Sequence, residues 1–206
     1  MTAVRRIALF AATLAIALST AVTLAHAEAP KPTIIGSIPV GFTYTHDQGQ
    51  KGVDAQSPTG VQVEFISPYY LGIGFAQYKS AIKKKSWDLG GGTTLSSDLG
   101  MTYSFLEASA NIKFGPVLLA WGYGAGSVKY NPETTDTVPP GFKVKWNASQ
   151  AFERFIRIGL HVSPDWSIHV ASHALYAEAD QEFSTGTKHS GEIGAIMTTA
   201  GVGYSF

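Results

Sequence analysis

Residues Gly191 to Phe206, reading GEIGAIMTTAGVGYSF, decide the fold. Steps of two back from the end collect Phe206, Tyr204, Val202, Ala200, Thr198 and Ile196; the other parity collects Ser205, Gly203, Gly201 and Thr199. One face is apolar and aromatic, the other small and polar. Only a period of two sorts residues this way, so the stretch is a β-strand.

The rest of the chain is read as a search for partners to that strand. Residues 1–27 are set apart first. Arg5 and Arg6 precede a mostly apolar run from Ile7 to Leu24, and Ala25-His26-Ala27 offers a small-x-small cleavage site. A cleaved secretory signal peptide is expected there, leaving residues 28–206 as one domain. That remainder has no apolar run of the roughly 18–20 residues needed by a transmembrane helix. The chain has no cysteine, which excludes disulfides and thiolate metal sites, and its net charge of zero argues against nucleic acid. Its 22 glycines and many aromatic residues, with only 15% charged residues, suit short alternating strands exposed to lipid.

In chain order, Ile38, Val40, Phe42 and Tyr44 alternate with Gly41, Thr43 and Thr45, with Pro39 requiring a late start or a bulge. Val61 to Phe65 alternates and runs into Ser67-Pro68-Tyr69-Tyr70, a turn; Leu71, Ile73 and Phe75 follow. Leu106 to Phe114 and Val117 to Tyr123 flank Gly115-Pro116, while Ile156 to Val162 and Ile168 to Tyr176 flank Ser163-Pro164-Asp165-Trp166. Polar loops are expected at 46–60, 81–98, 130–147 and 180–190. The count is eight strands, with three short proline-bearing turns at one end and four longer loops at the other. Such asymmetry is that of an all-β, eight-stranded antiparallel up-and-down transmembrane barrel, short turns in the periplasm and loops outside. A soluble lipocalin-like ligand binder is the alternative, with the apolar parity turned inward. Aromatic residues at strand ends (Tyr69, Tyr70, Trp166, Tyr204) favour the membrane version.

Gly201-Val202-Gly203-Tyr204-Ser205-Phe206, the strand count and the Trp166 turn resemble the small outer-membrane barrels of the OmpW and OmpA transmembrane-domain type. The resemblance covers residues 28–206 in architecture and the terminal hexapeptide in specific residues. It implies an outer-membrane location and recognition of Tyr204 and Phe206 by the barrel-assembly machinery. The families include narrow channels and structural anchors, so either role, in a monomer without cofactor, is expected.

Eight strands leave an interior just wide enough for side chains. The polar parity places Gln62, Glu64, Glu107, Asn111, Lys113, Glu153, Arg157, His161, His169 and His173 inside. Charges there need partners, so Glu64 and Glu107 are expected to answer Arg157 and Lys113. Turn parity sets Glu64 beside Gly74, Glu107 beside Gly124, Arg157 beside His173 and His161 beside His169. This reads as a polar plug or, if the ion pairs rearrange, a narrow pore whose histidines respond between pH 5 and 8. A metal at His161 and His169 lacks a third ligand. On the outward parity, Lys79, Lys129 and Arg154 lie about ten or more residues from the nearest short turn and are expected to meet lipopolysaccharide phosphates; the run Lys83 to Lys85 reads as a solvated loop. A lipid A-modifying enzyme, an acyl hydrolase or transferase, needs Ser and His on one strand face. Ser172-His173 point to opposite faces and His189-Ser190 sit beside a loop, so a non-enzymatic protein is expected.

Overall fold

The computed structural model describes residues 31–47, 54–55, 58–83, 87–88, 94–95, 99–138 and 141–206; the expected signal peptide, Lys84 and Lys85 lie outside the described residues. Eight long strands make the ring: β1 (Thr33–Asp47), β2 (Thr59–Ile66), β3 (Leu71–Lys83), β4 (Leu99–Phe114), β5 (Val117–Asn131), β6 (Ser149–His161), β7 (Trp166–Phe183) and β8 (Lys188–Ser205). Each pairs antiparallel with the next, and β8 returns to β1 from Thr33 opposite Ser205 to Asp47 opposite Ile193.

One hydrogen-bonded row runs Gly201, Ser37, Gln62, Ala76, Phe105, Gly126, Ala151, Ala177 and back to β8 at Ile193, eight residues from its start. A stagger of eight over eight strands corresponds to a tilt of about 36° and a backbone radius of about 7–8 Å. The interior is therefore narrow enough for side chains to fill it.

Side chains sort by parity. Ile156, Ile158 and Leu160 point outward, whereas Arg157 between them is 1% exposed. Val61, Val63 and Phe65 likewise face out around buried Gln62 and Glu64. A soluble barrel has the opposite sorting, so the lipocalin-like alternative fails and the outer surface is that of a membrane-spanning barrel. Trp166, Tyr204 and Phe206 cluster at the short-turn end, Trp166 tilted against Tyr204 at 5.0 Å and Tyr204 stacked on Phe206 at 6.3 Å between ring centroids, as an interfacial aromatic group.

In β1 the expected bulge at Pro39 is present and the late start is not, while the parity beyond it is corrected. The strand begins at Thr33, and register shifts occur between Pro39 and Gly41 and between Tyr44 and His46. Pro39 has no N–H for the ladder, and the extra residue beside it flips the parity that follows. Ile38 and Val40 face out, but Phe42 and Tyr44 pack against the interior cluster.

The long-loop end is also more structured than expected. Thr134–Val138 and Phe142–Asn147 pair with each other, and the latter continues the lane of β6 along the end of β7, Val144 facing Phe183. The expected loop at 180–190 shrinks to a turn between Phe183 and Lys188. On β7 the extension alternates small with polar residues from Ala177 to Asp180, so an apolar period does not mark it, whereas Phe142 to Trp146 alternates apolar with polar and turns Val144 and Trp146 inward.

The outward sorting has a thermodynamic consequence. Ile158→Arg, near the middle of the outward apolar run Ile156, Ile158, Leu160 and Val162, is expected to lower unfolding free energy by about 2–4 kcal/mol. Urea titration of the protein refolded in lipid vesicles measures it; an unchanged midpoint would mean that this face does not meet hydrocarbon.

Candidate functional site

The interior of the barrel is stacked in three layers. Next to the short-turn end, Ile35, Ile66 and Leu118 form a small apolar cluster with Tyr70 against it. Toward the loops lies a larger one that includes Tyr78, Tyr103, Phe105, Trp146, Leu175 and Met197. Between them sits a polar layer shut off from water at both ends.

That layer is built on one row. Glu64 on β2 faces Gly74 on β3, Gly74 faces Glu107 on β4, Glu107 faces Gly124 on β5, and Gly124 faces Glu153 on β6. Three carboxyl groups alternate with two glycines, all on the inward face. The alternation is steric. A Cβ at Gly74 would lie 2.9 Å from Glu107 Oε2, and one at Gly124 would lie 2.8 Å from Glu153 Cγ. Any side chain at either glycine would displace a carboxyl group.

Arg157 crosses the interior to Glu64, with Nη1 donating to Oε2 at 2.5 Å and Nη2 to Oε1 at 3.1 Å. Its Nη2 also donates to Asn111 Oδ1 at 3.0 Å, while Ser109 Oγ donates to Glu64 Oε1 at 2.5 Å. Both members of the pair are 1% exposed. This bidentate, charge-assisted contact in a dry layer is the strongest polar interaction of the interior. Glu107 does not meet a cation; its Oε2 accepts from Gln62 Nε2 at 2.7 Å. Glu153 Oε1 lies 3.3 Å from His173 Nδ1, and the other ring nitrogen lies 3.0 Å from Thr199 Oγ1. The Glu107 and Glu153 carboxyl groups hydrogen-bond each other, while Gln62 Oε1 and Arg157 Nε have no protein partner.

Several expected placements are corrected. Lys113 is exposed and His161 half-buried, both at the short-turn mouth rather than within the network. Across the β6–β7 hairpin the register is two residues from the expected one: Arg157 faces Ala171, His161 faces Ser167, and His169 faces Gly159. The shift arises because the turn pairs Leu160 with Ile168 and His161 with Ser167. His161 and His169 are therefore not cross-strand partners, and among the described residues no three metal-ligating side chains converge.

The register shows one dyad that sequence reasoning missed. Ser167 and His169 stand two apart on the inward face of β7, with Ser167 Oγ 2.7 Å from His169 Nε2. Their spacing was the available signal. The other ring nitrogen turns toward Gly159, has no partner, and no carboxylate orients it. At 2% and 3% exposure the pair is also closed to substrate. It lacks both the orienting acid and the access needed by a nucleophile.

On the outside, Lys79 on β3, Thr102 on β4 and Lys129 on β5 are successive members of one row. Arg154 stands apart, facing Tyr123 on β5 and Ala174 on β7, with Phe152 and Ile156 beside it on the outward parity of its own strand.

No protein-family model matches the chain, and no curated sequence relative is found. Solved structures do match. OprG from Pseudomonas aeruginosa aligns over 86% of this chain and 97% of its own at 13% identity, with a TM-score of 0.52. Neisserial surface protein A aligns over 85% and 96% at 11% identity and 0.53, and Escherichia coli outer membrane protein W over 88% and 100% at 13% and 0.50. The chain has the fold of the small outer-membrane β-barrels. The resemblance, at 11–13% identity, is one of fold.

The interior network makes its own prediction. Arg157→Ala leaves Glu64 buried and unpaired and should cost about 3–5 kcal/mol, whereas Glu64→Gln with Arg157→Met should recover most of that loss. Glu107→Gln, which keeps the size of a buried carboxyl group that no cation faces, should leave stability unchanged or raised. Urea midpoints of the refolded variants decide it; equal losses in the single and double variants would show that the pair contributes nothing specific.

Proposed function

We propose that this chain is an outer-membrane structural protein whose barrel is closed by its own side chains. The short turns then face the periplasm and the paired loop extensions stand outside. The carrying observation is the dry polar layer: Gln62, Glu64, Glu153, Arg157 and His173 are each at most 1% exposed, and apolar clusters lie above and below them. An aqueous path through the barrel would have to wet these groups. On this reading the protein is non-enzymatic and works without cofactor. The aromatic end of β8, Tyr204 and Phe206, is what the barrel-assembly machinery engages.

A second reading, a narrow gated pore, is favoured by one feature. The interior holds three carboxyl groups to one guanidinium, and Glu107 and Glu153, bonded to each other, offer Arg157 alternative partners. Exchange of Arg157 from Glu64 toward these carboxyl groups would rearrange the plug.

Planar-bilayer recording of the refolded protein separates the two. The plugged barrel gives no current steps between pH 5 and 8. Steps in the native protein that vanish in Glu107→Gln would establish the pore instead. Lipid A from cells expressing the protein should keep its acyl pattern by mass spectrometry; a changed pattern would overturn the non-enzymatic assignment.

A further inference from the structure

We propose that Lys79, Thr102 and Lys129 form a clamp for the phosphate of a phosphorylated glycolipid in the outer leaflet. This rests on the membrane location inferred above. The three residues occupy one outward row on adjacent strands, Lys79 opposite Thr102 and Thr102 opposite Lys129. Neighbouring strands lie about 4.8 Å apart, so the two lysine Cα atoms are separated by about 10 Å with a hydroxyl between them. A lysine side chain reaches about 6 Å, so both ammonium groups can meet one phosphate above Thr102. Both lysines are exposed, and among the described residues no acid forms an ion pair with either.

The rows beneath identify the rest of the ligand. Directly toward the short-turn end comes a neutral polar row of Gln77, Ser104 and Ser127, with Gln77 Nε2 donating to Ser104 Oγ at 3.3 Å. Below that lie Phe75, Leu106 and Ala125. Apolar, amide and hydroxyl, then cationic is the order that a lipid with acyl chains, a sugar and a phosphate presents from the hydrocarbon outward. Free phosphate needs only the top row; the lower two are complementary to a lipid.

The test uses the refolded full barrel in phosphatidylethanolamine vesicles with and without lipid A, scoring bound lipid A after extraction. Heat-modifiable gel migration and the absence of bilayer current report folding and the plugged state separately. Lys79→Ala with Lys129→Ala should weaken lipid A retention about tenfold, as the loss of charge-assisted bonds demands. Arg154→Ala, which lies off the row, should leave retention as it was, and millimolar inorganic phosphate should not displace the lipid. Undiminished retention in the folded double variant would overturn the clamp, as would an equal loss in Arg154→Ala. Displacement by inorganic phosphate would overturn the glycolipid assignment.

Discussion

Hydrocarbon offers a peptide group no hydrogen-bond partner, so every strand in the apolar band must be paired on both sides. That requirement is met here at the seam between β1 and β8, which lie at opposite ends of the described chain. The seam is fastened at its base: Thr33 Oγ1 and Ser205 Oγ lie 2.8 Å apart, and the Phe206 amide donates to the Pro32 carbonyl at 3.1 Å. Lys31 Nζ adds an exposed contact of 2.6 Å to Asp165 in the β6–β7 turn. Closure fixes the strand number and stagger, and these fix the radius. All the crowding inside follows from that radius.

Crowding explains why the interior is graded. A narrow tube cannot hold eight inward rows of large side chains, so bulky residues on one strand face small ones on the next. Phe155 lies over Gly122, His169 over Gly159 and Glu153 over Gly124. The aromatic residues collect toward the loops, where Tyr78 meets both Phe105 and His173 at centroid distances near 6 Å. They keep water from the polar layer, and a dry layer strengthens every contact within it. The same dryness makes its unpartnered atoms, Gln62 Oε1 and Arg157 Nε, costly.

The strands whose outward residues are apolar were legible from the sequence. Ile196 to Phe206, Val61 to Phe65 and Ile156 to Leu160 announce themselves through a period of two, and the proline-bearing turns separate them. Three things were not legible. Phe42 and Tyr44 changed sides because a bulge at Pro39 inverts parity, and parity is all that a pattern carries. The β6–β7 register missed by two residues because a slip of two preserves every inside and outside assignment. The extension of β7 beyond the apolar band alternates polar with small residues, Ala177, Glu178, Ala179 and Asp180, which a hydrophobic period does not detect, and the alternation of Phe142 to Trp146 lay within a stretch read as a loop. For the site, Glu64 and Arg157 were both placed inside by parity. The alternation of glutamate with glycine needed the register of four hairpins at once.

The ambiguity of register bears on why the interior carries charge at all. A smooth outer surface of Ile, Val, Leu and Phe does not distinguish one register from another two residues away, because lipid accepts either. A buried ion pair adds little stability over apolar residues of similar volume, so stability alone does not account for it. Glu64 and Arg157 stand on β2 and β6, four strands apart and therefore on opposite walls of an eight-stranded ring. A slip of two residues at any intervening hairpin would carry one partner about 6–7 Å along the barrel, beyond bidentate reach. The contact therefore reports on four pairings together. Leaving either charge unmatched in a dry layer penalises the wrong register far more than the right one is rewarded. The polar layer works as a device of specificity, and the glycines of β3 and β5 leave the space in which it can form.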